Sequence, residues 1–504
     1  MSKTNITSFH RLLKLSAKNR TFALENTIMG RKGKFDIILE NVAIENVAAE
    51  GKAISHVHLP SDDPESPKRV LFVEFAVPGD IVNIKITRKK KSFLEGRITE
   101  IITPSKNRLE PFCEHFGVCG GCKWQPLPYD IQLAAKQRQV FDQLTRIGHL
   151  KLPEISPILG SDKIREYRNK LEFSASCKRW LSDSEIKDEA NFNQPGLGFH
   201  VGNFFDKVLD INHCYLQPEP SNAIRTFVRK YAIEHGISFY DIRENRGLFR
   251  NMFVRTTDDG QVMVIMCFGE DTPAVSGMLE AISKAFPQIT SLYYVINSKL
   301  NDSISDLECI LFKGDEAIYE KMEDLRFKIG PKSFYQTNTG QAYKLYCVAR
   351  DYARLTGSET VYDLYTGTGT IAQFVSAGAS RVIGIEYVPE AIEDARINAA
   401  GNGISNCEFF AGDMKDVLTG DFIREHGKPD VIIVDPPRAG MHPDVVQVIL
   451  DAMPERIVYV SCNPASQARD LEILCQKYRI TAVQPVDMFP HTQHVENVCA
   501  LELI

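Results

Sequence analysis

Hydrophobic and polar residues alternate along four short segments near the N-terminus, and alternation with a period of two predicts half-buried strands. The turn Pro78-Gly79-Asp80 separates two of the segments. Several short strands joined by turns are typical of a small β-barrel, a fold that presents a curved face to RNA. We therefore predict a small OB-like β-barrel over residues 35–105, from the segments 37–47, 70–75, 81–87 and 96–102.

Two basic stretches accompany this predicted barrel. The run from Arg88 to Phe93 places four cations beside an aromatic ring at a strand end. This run suits a loop that contacts RNA phosphates, although a solvated hairpin tip explains it equally well. Residues 1–34 hold eight Lys or Arg against one acid, Glu25. They predict either a basic arm for RNA or a disordered tail, with Met29 as an alternative start.

The middle of the chain mixes helical and strand patterns. Apolar residues at helical spacing predict a helix over 132–146. Between residues 165 and 320 strands and helices alternate, so we expect a central α+β domain over 106–325. The clearest segments are the strands 167–173, 197–200, 252–256 and 261–268 and the helix 221–236.

From about residue 325 the pattern changes to regular βα units with short, continuously apolar strands. This pattern predicts a Rossmann-like, doubly wound domain over 326–504, whose ligands bind outside the carboxyl ends of the strands. The chain as a whole is thus predicted to be a multidomain α/β protein. The expected strands run over 360–365, 382–385, 407–410, 431–434 and 456–461.

Composition narrows the function classes. A chain of 504 residues suggests about three domains. The net charge of −6 argues against a uniformly basic nucleic-acid binder but allows a local basic face. No apolar run reaches the ~18 residues that span a bilayer, and cations at Arg11, Lys14 and Lys18 interrupt any secretory segment. We therefore expect a cytoplasmic enzyme, whose 12 Cys are reduced, metal-bound or catalytic.

Three cysteines form the strongest metal-binding signal. Five residues separate Cys113 from Cys119, and two separate Cys119 from Cys122. A four-cysteine iron–sulfur or zinc site needs one more ligand. Cys214, in a polar and turn-like context, and Cys177, just after a predicted strand, are both candidates. The C-x3-C-x2-C spacing of enzymes that generate radicals from S-adenosylmethionine is absent.

A glycine-rich turn follows the first predicted strand of the C-terminal domain. Gly367 and Gly369 fit a dinucleotide site as well as an S-adenosylmethionine site. Asp363 precedes the turn and suits a cationic amino-acid group better than a pyrophosphate. Glu386 is placed for ribose hydroxyls, and Asp413 could reach an adenine amino group. The pattern favours S-adenosylmethionine over NAD.

Cys462 follows the last parallel strand, within Ser461-Cys462-Asn463-Pro464. A single Cys is more often a packing residue, but the nearby Asp435-Pro436-Pro437-Arg438 in a methyltransferase sheet favours a nucleophile. Carbon 5 of uracil becomes nucleophilic when a thiolate adds to carbon 6. Removal of the carbon-5 proton then needs a base, and Glu496 is the candidate.

Three other functions compete with this interpretation. A methyltransferase acting on an exocyclic amine would not need Cys462 or Glu496. A non-catalytic RNA-binding protein would not need a cofactor cradle, and an NAD oxidoreductase would bind NADH at the glycine turn.

Together these motifs resemble the RNA uracil-C5 methyltransferase family, most closely the 23S ribosomal RNA type with a TRAM domain and a 4Fe-4S cluster. The resemblance covers residues 35–504. Thr366, where this family often has Cys, and Thr370, where some members have Asn, depart from the pattern. The resemblance rests on residues 113–122, 334–336, 363–370, 435–438, 461–464 and 487–496.

The resemblance implies methylation of carbon 5 of a uridine that is flipped out of structured RNA. The expected RNA is 23S ribosomal RNA, with the T-loop uridine of transfer RNA as the alternative. No membrane and no obligate protein partner are implied. The implied roles are nucleophile for Cys462; base for Glu496; S-adenosylmethionine binding for Gln336, Tyr365, Thr370, Glu386, Asp413 and Asp435; and cluster ligation for Cys113, Cys119, Cys122 and Cys214.

Overall fold

The computed structural model describes residues 37–182, 185–186, 194–202 and 204–504. The predicted basic tail over residues 1–34 and the start at Met29 lie outside the described residues. The described strands are β1 (Ile38–Ala43), β2 (Asn46–Val47), β3 (Ala53–Val57), β4 (Arg69–Val73), β5 (Ile81–Lys89), β6 (Phe93–Thr103), β7 (Lys170–Ser176), β8 (Gly196–Val201), β9 (Phe204–Asp210), β10 (Phe249–Thr256), β11 (Val262–Phe268), β12 (Ser291–Ile296), β13 (Ile310–Gly314), β14 (Ile318–Met322), β15 (Leu325–Ile329), β16 (Thr360–Leu364), β17 (Arg381–Glu386), β18 (Cys407–Ala411), β19 (Val431–Val434), β20 (Arg456–Ser461), β21 (Tyr478–Val486) and β22 (Glu496–Leu503). The described α-helices are α1 (Tyr129–Arg146), α2 (Ser221–Glu234), α3 (Pro273–Ala285), α4 (Thr339–Ala353), α5 (Thr370–Ser376), α6 (Pro389–Gly401), α7 (Met414–Val417), α8 (Gly420–His426), α9 (Pro443–Ala452) and α10 (Pro464–Leu474).

The first six strands form one sheet in the order β1-β5-β6-β4-β3-β2. The predicted alternation is confirmed, since Val82, Ile84 and Ile86 of β5 are all buried while the residues between them are partly exposed. Strand β3 escaped prediction because it is short and includes the polar pair Ser55-His56. The basic run forms the tip of the β5–β6 hairpin, where the side chain of Arg88 lies over the ring of Phe93. Closure of this sheet into a barrel stays a prediction.

The central sheet has the order β13-β12-β11-β10-β7-β8-β9. Its middle strands β10 and β11 are buried along their whole length because both faces are covered. Helices α2 and α3 cover one face, and the other packs on the C-terminal part of the chain.

One sequence prediction in this sheet needs correction. We expected a strand over 167–173, but β7 begins at Lys170. The reason is that the Arg168 amide bonds the Leu216 carbonyl and the Asn169 amide bonds the Thr337 carbonyl. These bonds draw the backbone away from the ladder, so Arg168 lies ahead of the strand.

The C-terminal sheet has the order β18-β17-β16-β19-β20-β22-β21, and helices cover both of its faces as predicted. The first five strands in this order pair in parallel, whereas β22 runs antiparallel to both β20 and β21. The start of β22 therefore meets the carboxyl ends of the parallel strands at the same edge.

Helix α1 packs against the C-terminal sheet, although it lies far from that sheet in sequence. Val140 and Leu144 pack among the residues of its second face, and the Lys136 ammonium lies 2.5 Å from the Asp487 carboxylate. Both side chains of this pair are fully buried. No helix among the described residues is both long enough and apolar enough to cross a membrane.

Replacement of Lys136 by Met should destabilise the protein strongly. The change leaves the buried Asp487 carboxylate without its cation, and breaking a buried pair costs about 3–5 kcal/mol. The urea midpoint should fall accordingly, and fluorescence can report it because the Trp124 ring centroid lies 5.8 Å from the Lys136 ammonium.

Arg138→Ala is the matched control on the same helix. Arg138 pairs with Asp142 on the exposed side of the helix, and exposed pairs contribute little to stability. Equal urea midpoints for the Lys136→Met protein and the wild type would contradict the importance of the buried pair.

Candidate active site

The predicted nucleophile and base face each other across two neighbouring strands. Ser461, the last residue of β20, pairs with Asn497 of β22. Continuing this antiparallel register by one residue sets Cys462 opposite Glu496. The Glu496 carboxyl contributes to the raised pKa of the Cys462 thiol.

The backbone around Cys462 is held by its neighbours. Asn463 caps α10, its side chain accepting a bond from the Ala465 amide at 3.2 Å. The same side chain donates to the Arg438 carbonyl at 2.9 Å, and the Ser466 hydroxyl donates to that carbonyl at 3.1 Å. The segment Asp435–Arg438 is thus fastened to the Cys462 turn.

Burial governs the protonation of both groups. It raises the pKa of the Cys462 thiol to about 11, with Glu496 and Asp435 adding to the rise and Arg438 opposing it. It also raises the pKa of Glu496 to about 8, again with Asp435 adding and Arg438 opposing. Arg438 is therefore the cation that favours the reactive form of both side chains.

Two further carboxyl groups lie at the same edge. Burial raises the pKa of Asp363 and of Asp435 to about 7 each, and their mutual repulsion adds to the rise at Asp435. Asp363 accepts bonds from the Thr366 hydroxyl and the Ala372 amide, but its second oxygen has no partner. A cation bound here would favour the charged form of these carboxylates.

The glycine turn leaves open space beside these carboxylates. Tyr365, Gly367 and Gly369 all adopt left-handed backbone angles, with φ of 66°, 57° and 74°. A Cβ at Gly367 would meet nothing within 4 Å, whereas a Cβ at Gly369 would lie 2.9 Å from that of Ala395. Gly369 thus permits close packing, while Gly367 faces room for a ligand.

The other predicted cofactor residues surround this turn in different ways. Glu386 accepts bonds from the Gly367 amide at 3.1 Å and the Val388 amide at 3.0 Å, which fix its carboxylate at the end of β17. Thr370 is buried at the start of α5. Asp413 follows β18 and caps α7 through the Lys415 amide.

Gln336 reaches the site from the segment that precedes α4. Its carbonyl accepts a bond from the Asn169 side chain at 2.9 Å, and its own side chain lies near the hydroxyl of Tyr346. Tyr346 is buried. Burial raises the pKa of its hydroxyl, and the charges of Asp435 and Asp363 add to the rise. Sequence reasoning missed Tyr346 because its helical spacing is that of an ordinary core residue.

His494 also belongs to this neighbourhood. Burial and the nearby Arg438 lower its pKa to about 4. The ring is thus neutral near pH 7 and adds no charge beside Glu496. The sequence motif contained His494 but gave no reason to assign it a role.

The four predicted ligand cysteines line one cavity of about 340 Å³ in the central part of the chain. Cys177 lines a different cavity, beside Lys178 and Asp241. Burial raises the pKa of Cys119 to about 11 and that of Cys122 to about 12, and the mutual repulsion of the thiolates adds to both. In the described ranges, no three metal-binding side chains converge closely enough to hold a single ion.

Comparisons with known proteins agree with this geometry. Residues 40–99 match the family model of the TRAM domain, so the N-terminal sheet carries that RNA-binding domain. Residues 314–503 match the model of tRNA (Uracil-5-)-methyltransferase, which spans the C-terminal sheet and both Cys462 and Glu496.

The chain is similar over most of its length to bacterial proteins named as RNA methyltransferases. An uncharacterized RNA methyltransferase of Bacteroides thetaiotaomicron is 57% identical over 462 residues, which cover 91% of this chain and 100% of that protein. A second from Porphyromonas gingivalis is 55% identical over 467 residues, covering 91% of this chain and 98% of that one.

A solved structure is similar over nearly the whole chain. It is the Pyrococcus abyssi tRNA (uracil-54, C5)-methyltransferase in complex with S-adenosyl-L-homocysteine, 29% identical with a TM-score of 0.69. The match covers 92% of this chain and 99% of that one. By these relatives and both domain matches, the chain belongs to the S-adenosylmethionine-dependent RNA uracil-C5 methyltransferases that carry a TRAM domain.

Proposed function

We propose that this enzyme methylates carbon 5 of a uridine in 23S ribosomal RNA, with Cys462 as nucleophile and Glu496 as base. The observation that carries the proposal is the register that sets Cys462 opposite Glu496 at the edge formed by the carboxyl ends of the parallel strands. A methyltransferase acting on an exocyclic amine would have no use for this pair.

The steps follow from the two side chains. The Cys462 sulfur adds to carbon 6 of the flipped uracil, which makes carbon 5 an enolate-like nucleophile. When bound, S-adenosylmethionine supplies the methyl group to carbon 5. Glu496 then removes the proton from carbon 5, the electron pair re-forms the 5,6 double bond, and the Cys462 sulfur leaves. Arg438 favours the thiolate and the carboxylate that these steps require.

The residues of the glycine turn suit S-adenosylmethionine, a cation. Asp363 is buried and Asp435 partly buried, and no Lys or Arg within the described ranges forms an ion pair with either. The proposed cofactor-binding residues are therefore those of the sequence analysis, with Tyr346 next to Gln336. The set comprises Gln336, Tyr365, Thr370, Glu386, Asp413 and Asp435, with Asp363 as a buried neighbour.

The four cysteines suit a 4Fe-4S cluster. Their thiols surround one cavity of about 340 Å³, and a cluster is held by four Cys thiolates. We infer that Cys113, Cys119, Cys122 and Cys214 would hold such a cluster.

Structured RNA is the proposed partner, bound by the TRAM domain and by the open edge of the C-terminal sheet. The T-loop uridine of transfer RNA is the second candidate, and it is favoured by the similarity to the Pyrococcus abyssi enzyme. We place the enzyme in the cytoplasm, where such RNA is found and where thiols stay reduced.

Incubation with S-adenosylmethionine and RNA carrying 5-fluorouridine should trap a covalent protein–RNA complex. Fluorine cannot leave carbon 5 as a cation, so the last elimination stalls. A shifted band on a denaturing gel is expected for the wild type and should vanish in Cys462→Ala. Mapping the crosslinked uridine in ribosomal and transfer RNA identifies the substrate.

Glu496→Gln provides the matched test with ordinary uridine. Without the base, the adduct should accumulate and turnover should fall by about 10²–10⁴-fold. If the enzyme binds S-adenosylmethionine but forms no adduct with ribosomal or transfer RNA, uridine carbon 5 is not the methyl acceptor.

The kcat/KM for RNA should rise with pH between about 6 and 9. The pKa of Glu496 is raised to about 8, so its carboxyl keeps its proton below that pH and the base form is scarce. Arg438 lowers the pKa of Glu496 in the wild type. Its removal in Arg438→Met should therefore raise this pKa and move the rising limb to higher pH, whereas Arg438→Lys should move the limb less. A profile that is flat across this range would refute Glu496 as the base.

Protein purified without oxygen should contain about four iron and four sulfide per chain, with the broad visible absorption of a cluster. Cys214→Ser should lose this absorption, since Cys214 lines the cavity. Cys177→Ser is the control, because Cys177 lies elsewhere. Retention of the full iron and sulfide content by Cys214→Ser would show that the fourth ligand is another residue.

A further inference from the structure

A groove beside the cofactor-binding segment carries an unusual pair of cations. It has a volume of about 360 Å³ and is lined by the strands β7 and β10 together with residues 302–305 and 331–332. Lys170 of β7 and Arg255 of β10 lie directly opposite each other in the antiparallel ladder. Like charges in this position repel each other and destabilise a sheet.

Neither cation of the pair forms an ion pair with a described residue. The Lys170 ammonium lies 5.5 Å from the centroid of the Phe253 ring, and the Glu172 carboxyl, two residues along the same strand, attracts it without pairing with it. Arg255 is 5% exposed, and its one hydrogen bond runs from Nη2 to the Ser333 carbonyl at 2.7 Å. The buried Nε of Arg255 has no partner at all.

The acids of the groove are already engaged elsewhere. Asp302 pairs with Arg250 at 2.9 Å, and Glu172 accepts a bond from the Asn251 side chain at 3.0 Å. A third cation, the exposed Lys332, bonds only the Ser305 carbonyl. Three cations therefore line one groove together with the carboxyl groups of Glu172 and Asp302, and within the described ranges no carboxylate forms an ion pair with any of the three.

Burial and mutual repulsion disfavour the charged form of Lys170. Desolvation, with the repulsion of Arg255 added and the attraction of Glu172 opposing, lowers the pKa of Lys170 to about 8. A bound anion would oppose both effects. The desolvation and mutual repulsion of these cations lower the stability of the free protein, and a bound anion would offset this loss.

The groove is physically joined to the cofactor segment. Arg255 bonds the carbonyl of Ser333, and Asn169, which precedes Lys170, bonds the carbonyl of Gln336. Since Gln336 belongs to the proposed cofactor site, these two bonds join the groove to that site.

We propose that this groove binds a backbone phosphate of the substrate RNA, held by Lys170, Arg255 and Lys332. The proposal rests on the proposed function, because the RNA is the substrate assigned there. Phosphate contacts fix the position of a nucleic acid on a protein without reading its sequence. The contact would hold the strand beside the site while the target uridine is flipped out.

The test measures the affinity of the full-length protein for the RNA that forms the 5-fluorouridine adduct, by filter binding over a series of salt concentrations. Lys170→Gln should weaken binding several-fold and reduce the slope of log K against log salt by about one. The KM for S-adenosylmethionine should stay unchanged. The urea midpoint should stay equal or rise, because the like-charge repulsion is removed.

Lys332→Gln should act in the same direction, and Lys313→Gln is the control. Lys313 is exposed on β13, at the far edge of the same sheet, so its loss should leave affinity and slope unchanged.

Two results would overturn the proposal that this groove binds an RNA phosphate while leaving the proposed function intact. One is wild-type affinity and slope in Lys170→Gln when the wild type binds RNA and forms the adduct. The other is a raised KM for S-adenosylmethionine with unchanged RNA affinity, which would assign the groove to the cofactor's carboxylate. A wild type that neither binds structured RNA nor forms an adduct would instead overturn the proposed function and the groove together.

Discussion

The buried carboxylate of Asp487 holds together parts of the chain that are far apart in sequence. It accepts bonds from the Lys136 ammonium at 2.5 Å and from the Tyr129 hydroxyl at 2.7 Å, both on α1. Its backbone carbonyl accepts a further bond from Gln341 of α4 at 2.8 Å. The position of the loop that follows, which leads to Glu496, depends on these contacts.

The same loop connects the active site to the cysteine cavity and to the N-terminal sheet. The His491 carbonyl accepts bonds from the amides of Lys123 and Trp124, and its ring packs edge-on against Phe112 of the cavity. The Trp124 indole in turn donates to the Gly51 carbonyl at 3.0 Å. A cluster bound in the cavity would therefore stiffen the loop before Glu496, a structural role that requires no electron transfer.

Local patterns predicted what depends on local physics. The alternation in β5 and the apolar strands of the C-terminal sheet follow from burial of one face or both faces, and those elements were found where expected. The order of motifs along βα units likewise predicted that Asp363, Asp435 and Cys462 meet at one edge. Their roles in the reaction stay predictions that the experiments above test.

Contacts between distant segments were beyond sequence reasoning. The spacing of Cys113–Cys122 left Cys177 and Cys214 open as the fourth thiol, and only the packing of the central sheet brings Cys214 to the cavity. The start of β7 was misplaced because Arg168 and Asn169 bond segments that lie far along the chain. Tyr346 was missed since burial of its hydroxyl among carboxylates leaves no trace in the helical pattern.

Several features near the site lower stability, and they share one physical logic. Loss of contact with water raises the pKa of Asp363, Asp435 and Glu496, so their charged forms are disfavoured. Lys170 and Arg255 form the opposite case, a partly buried and a buried cation that lie opposite each other in the ladder and form no ion pair with a described residue. A cationic cofactor relieves the first strain and an anionic RNA backbone relieves the second. Because each ligand would offset a cost that the free protein bears, the pattern of uncompensated charge supports the proposals of a cationic cofactor in one part of the site and an RNA phosphate in the other.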